Sequence, residues 1–117
     1  MKIYGTQSSR AVRPIWTAEE MGLEYELEMM PFPPRVFQKE YLETNMLGTV
    51  PYFVDGDVKM TESVAMCQYI VEKYGPTDLC VQPDEKDYPN YLNWLFHSDA
   101  TLTLSLIHIS EPTRPLY

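Results

Sequence analysis

Apolar and polar positions alternate in short runs that change period several times along the chain. Lys2-Ile3-Tyr4 predicts a strand, and residues 5–9 read as a loop ending in two hydroxyls. Over residues 10–21 the apolar set Ala11, Val12, Ile15, Trp16, Ala18 and Met21 suits one broad helical face, with Gly22 as the C-terminal cap. Pro14 is awkward inside that helix. Either the helix starts later, or Pro14 falls within its first turn or two and kinks it. Tyr25-Glu26-Leu27-Glu28-Met29 alternates and predicts a second strand, parallel to the first through a right-handed crossover. After the rigid loop Pro31-Phe32-Pro33-Pro34, residues 35–43 predict a short helix with Val36, Phe37, Tyr41 and Leu42 on its buried side. Tyr52-Phe53-Val54 and Val58-Lys59-Met60 flank Asp55-Gly56, a two-residue hairpin signal. Thr61, Glu62 and Ser63 open a helix over 63–74 that turns Val64, Met66, Cys67, Ile70 and Val71 inward, and Gly75-Pro76 ends it. Residues 77–88 read as a linker. Pro89-Asn90 starts another helix, with Tyr91, Leu92, Trp94, Leu95 and Leu102 on its apolar side. The expected fold class is α/β, a four-stranded mixed sheet with helices on both faces.

Composition narrows the function classes. The 117 residues support one domain and little more, and the net charge of −8 argues against nucleic-acid and anionic-membrane partners. No apolar run approaches the length of a membrane helix, and Met1-Lys2-Ile3-Tyr4 enters a strand rather than a signal peptide. Cys67 and Cys80 form no C-x-x-C pair, so two reduced thiols in a cytosolic protein are expected, Cys67 as a small core residue. There is no metal-ligand spacing and no phosphate-binding glycine loop. A basic patch for a small anion could draw only on Lys2, Arg10, Arg13, Arg35 and Lys39 within the first forty residues, and most arginines of this kind are solvated surface.

The stretch with candidate chemistry is Gly48-Thr49-Val50-Pro51, followed by the hairpin and by Glu62-Ser63. Proline has no donor for a ladder, so Pro51 belongs at a strand's first position or on an edge. The Val50-Pro51 bond is a candidate cis peptide, which would leave the N–H and C=O of Val50 turned outward for an extended peptide ligand.

This ordered set, closed by Tyr69-Ile70-Val71-Glu72-Lys73-Tyr74, resembles the N-terminal, thioredoxin-like domain of cytosolic-type glutathione transferases of a serine-type or bacterial-type class. The likeness covers about residues 1–103. It departs at Met46, where the family commonly has proline after the asparagine, here Asn45. The resemblance implies a thioredoxin-like β-α-β-α-β-β-α domain over 1–76, a linker over 77–88, and the first helix of a truncated all-α domain over 89–103. It implies glutathione as co-substrate, a small electrophile as second substrate, no metal, a cytoplasmic location and a homodimeric parent.

The same resemblance assigns roles. Glutathione conjugation needs its thiol ionised, and hydroxyl donors at a helix start lower a thiol pKa from about 8.5. A gapless comparison puts the family serine on Ser8, with Ser9 next and Tyr4 as the tyrosine-type alternative. Ser9 could equally be a plain helix cap. Val50 would pair its backbone with the cysteinyl backbone beside Pro51, Ser63 would take the γ-glutamyl carboxylate and Glu62 the ammonium. Simple capping by Glu62 and Ser63 competes with that role without excluding it. His97 is expected on a helix surface or interface. The function expected is glutathione transfer to an electrophile. The alternatives are a glutathione-dependent thiol-disulfide reductase or peroxidase, and a non-catalytic binding module.

Residues 104–117 break the pattern. Leu104 to Arg114 resemble, codon for codon, the in-frame translation of a sequencing-library transposase-end adapter. On that reading His108 is no site candidate, the native chain continues differently after Thr103, and the chain as it stands is inactive or nearly so.

Overall fold

In the computed structural model, which describes residues 1–103, the first strand, β1 (Lys2–Gly5), is the centre of the construction. It pairs in parallel with β2 (Glu26–Met29) on one side and antiparallel with β3 (Tyr52–Asp55) on the other. β3 continues into β4 (Val58–Met60), giving the mixed order β2-β1-β3-β4. The turn is Gly56-Asp57, with Gly56 at φ 61, a left-handed conformation that glycine adopts without steric cost.

Strand alternation splits the core in two. Ile3 and Phe53 point to one face and meet Met66 and Ile70, all four at 0% exposure. That face carries α1 (Val12–Glu20) and α4 (Ser63–Lys73). Tyr52 points to the other face and meets Met30 and Tyr41, with Tyr4, Val50 and Val54 packed around them. The order β-α-β-α-α-β-β-α and the sheet are thioredoxin-like, as the resemblance implies, with two short helices between β2 and β3.

The later helix start is the alternative observed, while the hairpin turn falls on Gly56-Asp57 rather than Asp55-Gly56 and two helical faces differ from the sequence reading. α1 begins at Val12, so buried Pro14 is its third residue, where the missing N–H has no helical acceptor to lose. The helix rests on Ala11, Pro14 and Ala18, while Val12 and Trp16 face outward at 56% and 64% exposure. Ile15 and Met21, also predicted for this face, pack against the core cluster as expected. Residues 35–43 form two single turns, α2 (Pro34–Phe37) and α3 (Tyr41–Thr44), separated at Gln38, whose φ −142 and ψ 71 are not helical. Only Tyr41 of the four predicted residues is buried; Val36, Phe37 and Leu42 are exposed.

Asp55 ties β3 to the far end of α4. It accepts hydrogen bonds from Tyr69 (2.9 Å) and Tyr74 (2.6 Å). The Tyr74 bond is the main reason its carboxyl lies below the usual range, while the same bond pushes the Tyr74 phenol up to about 12.

A first compact unit spans Met1–Cys80 and a second begins at Val81. The second contains α5 (Tyr88–His97), which has proline in its first turn, followed by a π-helical turn, Ser98–Thr103. Within it the His97 ring meets Trp94 edge-on, with centroids 5.1 Å apart. No helix among the described residues is long and apolar enough to cross a membrane. The adapter-like segment, with His108, lies outside the described residues.

Candidate functional site

Register alone gathers the candidate residues at one end of the sheet. The β1–β3 pairing ends at Tyr4 opposite Tyr52, so the next steps bring Gly5 and Thr6 beside Pro51 and Val50. The β3–β4 pairing begins at Phe53 opposite Met60, so Thr61 and Glu62 return to the level of Tyr52 and Pro51. Ser63 then starts α4. The loop from β1 to α1 folds back over the same end. It comes so close that a Cβ on Gly5 would stand 2.6 Å from the Ala11 Cβ.

The two helices meet there in the same direction. Arg13 donates from Nη1 to the Ser63 hydroxyl at 2.9 Å, and one turn later the Thr17 hydroxyl, which donates to the Arg13 carbonyl at 2.9 Å, stands 3.3 Å from Cys67 Sγ. Arg13 and Thr17 are four apart on α1, as Ser63 and Cys67 are on α4, so the helices run parallel with both N-termini at the site. Each N-terminus carries about half a positive charge. With Arg13 between them, this corner of a chain of net charge −8 favours an anion.

Neither side chain at the start of α4 caps it. Ser63 is buried and accepts from Arg13, while the Glu62 carboxylate is exposed and accepts from Thr61 Oγ1 at 2.9 Å. A hydroxyl able to donate to an anion and a carboxylate able to accept from an ammonium therefore stand side by side.

The two loop serines differ. Ser9 donates to the Thr6 carbonyl at 2.8 Å and accepts from the Ala11 N–H at 3.2 Å, so its one proton is committed to the turn before α1. Ser8 is exposed, sits at φ 59, and among the described residues its hydroxyl makes no hydrogen bond. Tyr4 lies on the other face, its ring 5.7 Å from Tyr41 and 5.9 Å from Tyr52, with Lys2 Nζ 4.7 Å from its centroid. The structure thus brings Ser8, Ser9, Val50, Pro51, Glu62 and Ser63 to one end and leaves the Tyr4 ring on the opposite face from α1 and α4.

The Val50-Pro51 peptide is cis, and Pro51 stands just before β3. Val50 lies outside the ladder, and among the described residues its N–H and C=O enter no backbone hydrogen bond. Cys67 is half-buried, and burial pushes its thiol up, so this structure supplies no activated cysteine there.

Sequence reasoning missed two residues. Arg13, named for a possible basic patch but expected on solvated surface, meets Ser63 through the packing of α1 on α4, which no local signal carries. Thr6 is 3% exposed, and its Oγ1 is a buried polar atom without a partner among the described residues. Thr6 directly follows β1, level with Val50 in the continued β1–β3 register. No group of three His, Cys, Asp or Glu side chains among the described residues is arranged to hold a metal.

Comparison with known proteins gives the same corner a family. The model of the glutathione S-transferase N-terminal domain matches residues 1–72. Glutathione S-transferase 3 of Schizosaccharomyces pombe is 29% identical over 100 residues, covering 86% of this chain and 41% of that protein. A glutathione S-transferase of Hyoscyamus muticus is 41% identical over 76 residues, covering 63% of this chain and 36% of that protein. Among solved structures, the ternary complex of BphK, a bacterial GST, superposes with TM-score 0.79 at 25% identity, over 97% of this chain and 58% of that one. The chain therefore spans about two fifths of the length of these curated relatives and just over half of the solved one. With the thioredoxin-like sheet and the family match over most of it, the chain belongs to the glutathione S-transferase N-terminal domain family.

Proposed function

We propose that this chain is the glutathione-binding part of a serine-type glutathione transferase, whose whole protein conjugates glutathione to a small electrophile. The observation that carries the reading is the Arg13–Ser63 contact at the paired helix N-termini, level with the free backbone of Val50. Glutathione is an extended tripeptide with a carboxylate and an ammonium at its γ-glutamyl end. The carboxylate suits Ser63, Arg13 and the α4 N-terminus, and the ammonium suits Glu62. The cysteinyl backbone suits the N–H and C=O of Val50 beside Pro51.

The thiol then falls near the loop before α1. Stabilising a thiolate requires a proton to donate, and Ser8 has one uncommitted, whereas Ser9 must first release the Thr6 carbonyl. Ser8 is thus the thiolate donor in this reading, and Ser9 holds the turn. The thiolate attacks the electrophilic carbon, the new S–C bond replaces the bond to the leaving group, and that group departs with its electron pair. The Tyr4 alternative finds no support in a ring packed between Tyr41 and Tyr52.

The domain boundaries at 76 and 88, an all-α domain starting at 89, a cytoplasmic homodimeric parent and an adapter origin for residues 104–117 belong to the same proposal. Re-reading the gene from source DNA across codon 103 tests the last point. A sequence that runs on from codon 104 as Leu104 to Tyr117 refutes it.

Titration of the chain with glutathione by calorimetry tests the site. Saturable binding that Ser63→Ala weakens is the expected result. Equal binding by wild type and Ser63→Ala sinks the assignment. Conjugation assays on the source-read gene product then separate a transferase from a binding module.

A further inference from the structure

One carbonyl in the loop before Val50 receives two buried side-chain donors. Tyr41, 2% exposed, donates its hydroxyl to the Thr49 C=O at 2.7 Å. Asn45, 4% exposed, donates Nδ2 to the same oxygen at 3.0 Å, while its Oδ1 accepts from the Leu47 N–H at 3.1 Å. The Gly48 N–H in turn bonds to the Asn45 C=O at 2.9 Å. Gly48 is required there: it sits at φ 65, and a Cβ would meet Arg35 Cβ and Leu42 Cδ2, each at 2.9 Å.

The target of this network is informative. Thr49 is exposed, so its carbonyl could be satisfied by water. Instead two of the first unit's few buried polar side chains are spent on it. The Thr49 C=O and the Val50 N–H share one planar peptide unit, with oxygen and hydrogen on opposite edges. Fixing the oxygen from below therefore aims the hydrogen. Val50 is the residue whose N–H makes no backbone bond of its own.

We propose that Tyr41 and Asn45 are positioning residues: they clamp the Thr49 carbonyl and so hold the Val50 N–H in the orientation that receives the carbonyl of an extended peptide-like ligand. The inference rests on the glutathione reading above. It adds residues that touch no ligand, and it confines their effect to one half of the ligand. The γ-glutamyl end is held by Ser63, Arg13 and Glu62, which the clamp does not touch.

The test uses Tyr41→Phe, which removes one oxygen and keeps the buried ring, and Asn45→Ser as a second variant. Two probes are titrated by ligand-observed NMR: glutathione, and γ-glutamyl methylamide, which lacks the cysteinyl-glycine backbone. Each variant is expected to weaken glutathione by about five- to tenfold, the scale of one buried hydrogen bond, and to leave γ-glutamyl methylamide unchanged. The bound thiol should titrate at the same pH as in wild type. Proportional loss of both probes makes the pair merely structural and overturns the proposal. Unchanged glutathione binding in Tyr41→Phe, with wild type binding normally, overturns the clamp alone. Wild type that binds neither probe overturns the glutathione reading and the clamp's role with it.

Discussion

Ser8 and Ser9 are adjacent hydroxyls with opposite structural loads, and substituting each should move stability and thiol chemistry in opposite directions. Ser9 makes two hydrogen bonds, to the Thr6 carbonyl and from the Ala11 N–H. Replacing it with alanine removes both hydrogen bonds from the turn that leads into α1, a net loss of about 1 kcal/mol. Ser8 carries no such load and is held at φ 59. The left-handed region costs a residue with a Cβ about 1–2 kcal/mol, and glycine returns roughly 0.5–1 of that through its freer unfolded chain. Ser8→Gly should therefore stabilise by about 0.5 kcal/mol, and a domain of this size converts each kcal/mol into about 4–8 °C of Tm. Thermal unfolding followed by far-ultraviolet circular dichroism should show Ser9→Ala melting about 4–8 °C below wild type and Ser8→Gly a few degrees above it. Thiolate absorbance of bound glutathione provides the second axis. Ser8→Gly should return the bound thiol towards its free value of about 8.5, while Ser9→Ala should leave it low. A Ser9→Ala protein of unchanged Tm, or a Ser8→Gly protein that still ionises the thiol, refutes the division of labour.

Other perturbations test other parts of the scaffold. Gly5→Ala places a Cβ 2.6 Å from that of Ala11 and should destabilise by about 1–3 kcal/mol, partly relieved in the Gly5→Ala/Ala11→Gly double variant, as denaturant titration would read. Asp55 has a depressed folded pKa, so its contribution is fully present above the unfolded value of about 3.9 and is lost as pH falls through that value to the folded one. Asp55→Asn should lower the neutral-pH Tm and flatten the acid limb of the Tm–pH curve; a parallel shift at every pH would contradict the linkage. Arg13→Met should raise the Kd for glutathione about tenfold or more if, as proposed, Arg13 is a charged donor to the γ-glutamyl carboxylate, and calorimetry that finds no change would remove Arg13 from the proposed site.

Strands and hairpin were legible because a period of two and a Gly-containing turn are local signals. Phe53 and Met60 face each other as their alternation requires. Ser8, Ser9, Val50, Pro51, Glu62 and Ser63 were named together through the spacing of a known family rather than through any local property, and the sheet register places them at one end. The helical faces were read less well. Val12 and Trp16 count as apolar in any periodicity, yet they lie outside the face on which Ala11, Pro14, Ile15 and Ala18 meet the core, a rotation that periodicity does not resolve. Residues 35–43 have the composition of one helix, but the chain leaves helical geometry at Gln38 and exposes Val36 and Phe37. Arg13 was misread for a different reason: its partner Ser63 is 50 positions away, and only the parallel packing of two helices makes them neighbours.

The Gly56-Asp57 turn lies at the end of the sheet opposite the gathered residues, and nothing stands within 4 Å of where a Gly56 side chain would begin. That makes it a natural attachment point. A loop grafted between Gly56 and Asp57 starts from open space at Gly56, and loop-closure entropy rises by only about 0.6 kcal/mol per doubling of length. An epitope, a fluorophore-bearing cysteine or a second binding module could be carried there without touching Ser8, Val50 or Ser63. The hairpin that delivers Glu62 and Ser63 to one end of the sheet thus presents, at its other end, a handle for building sensors or immobilised forms of this domain.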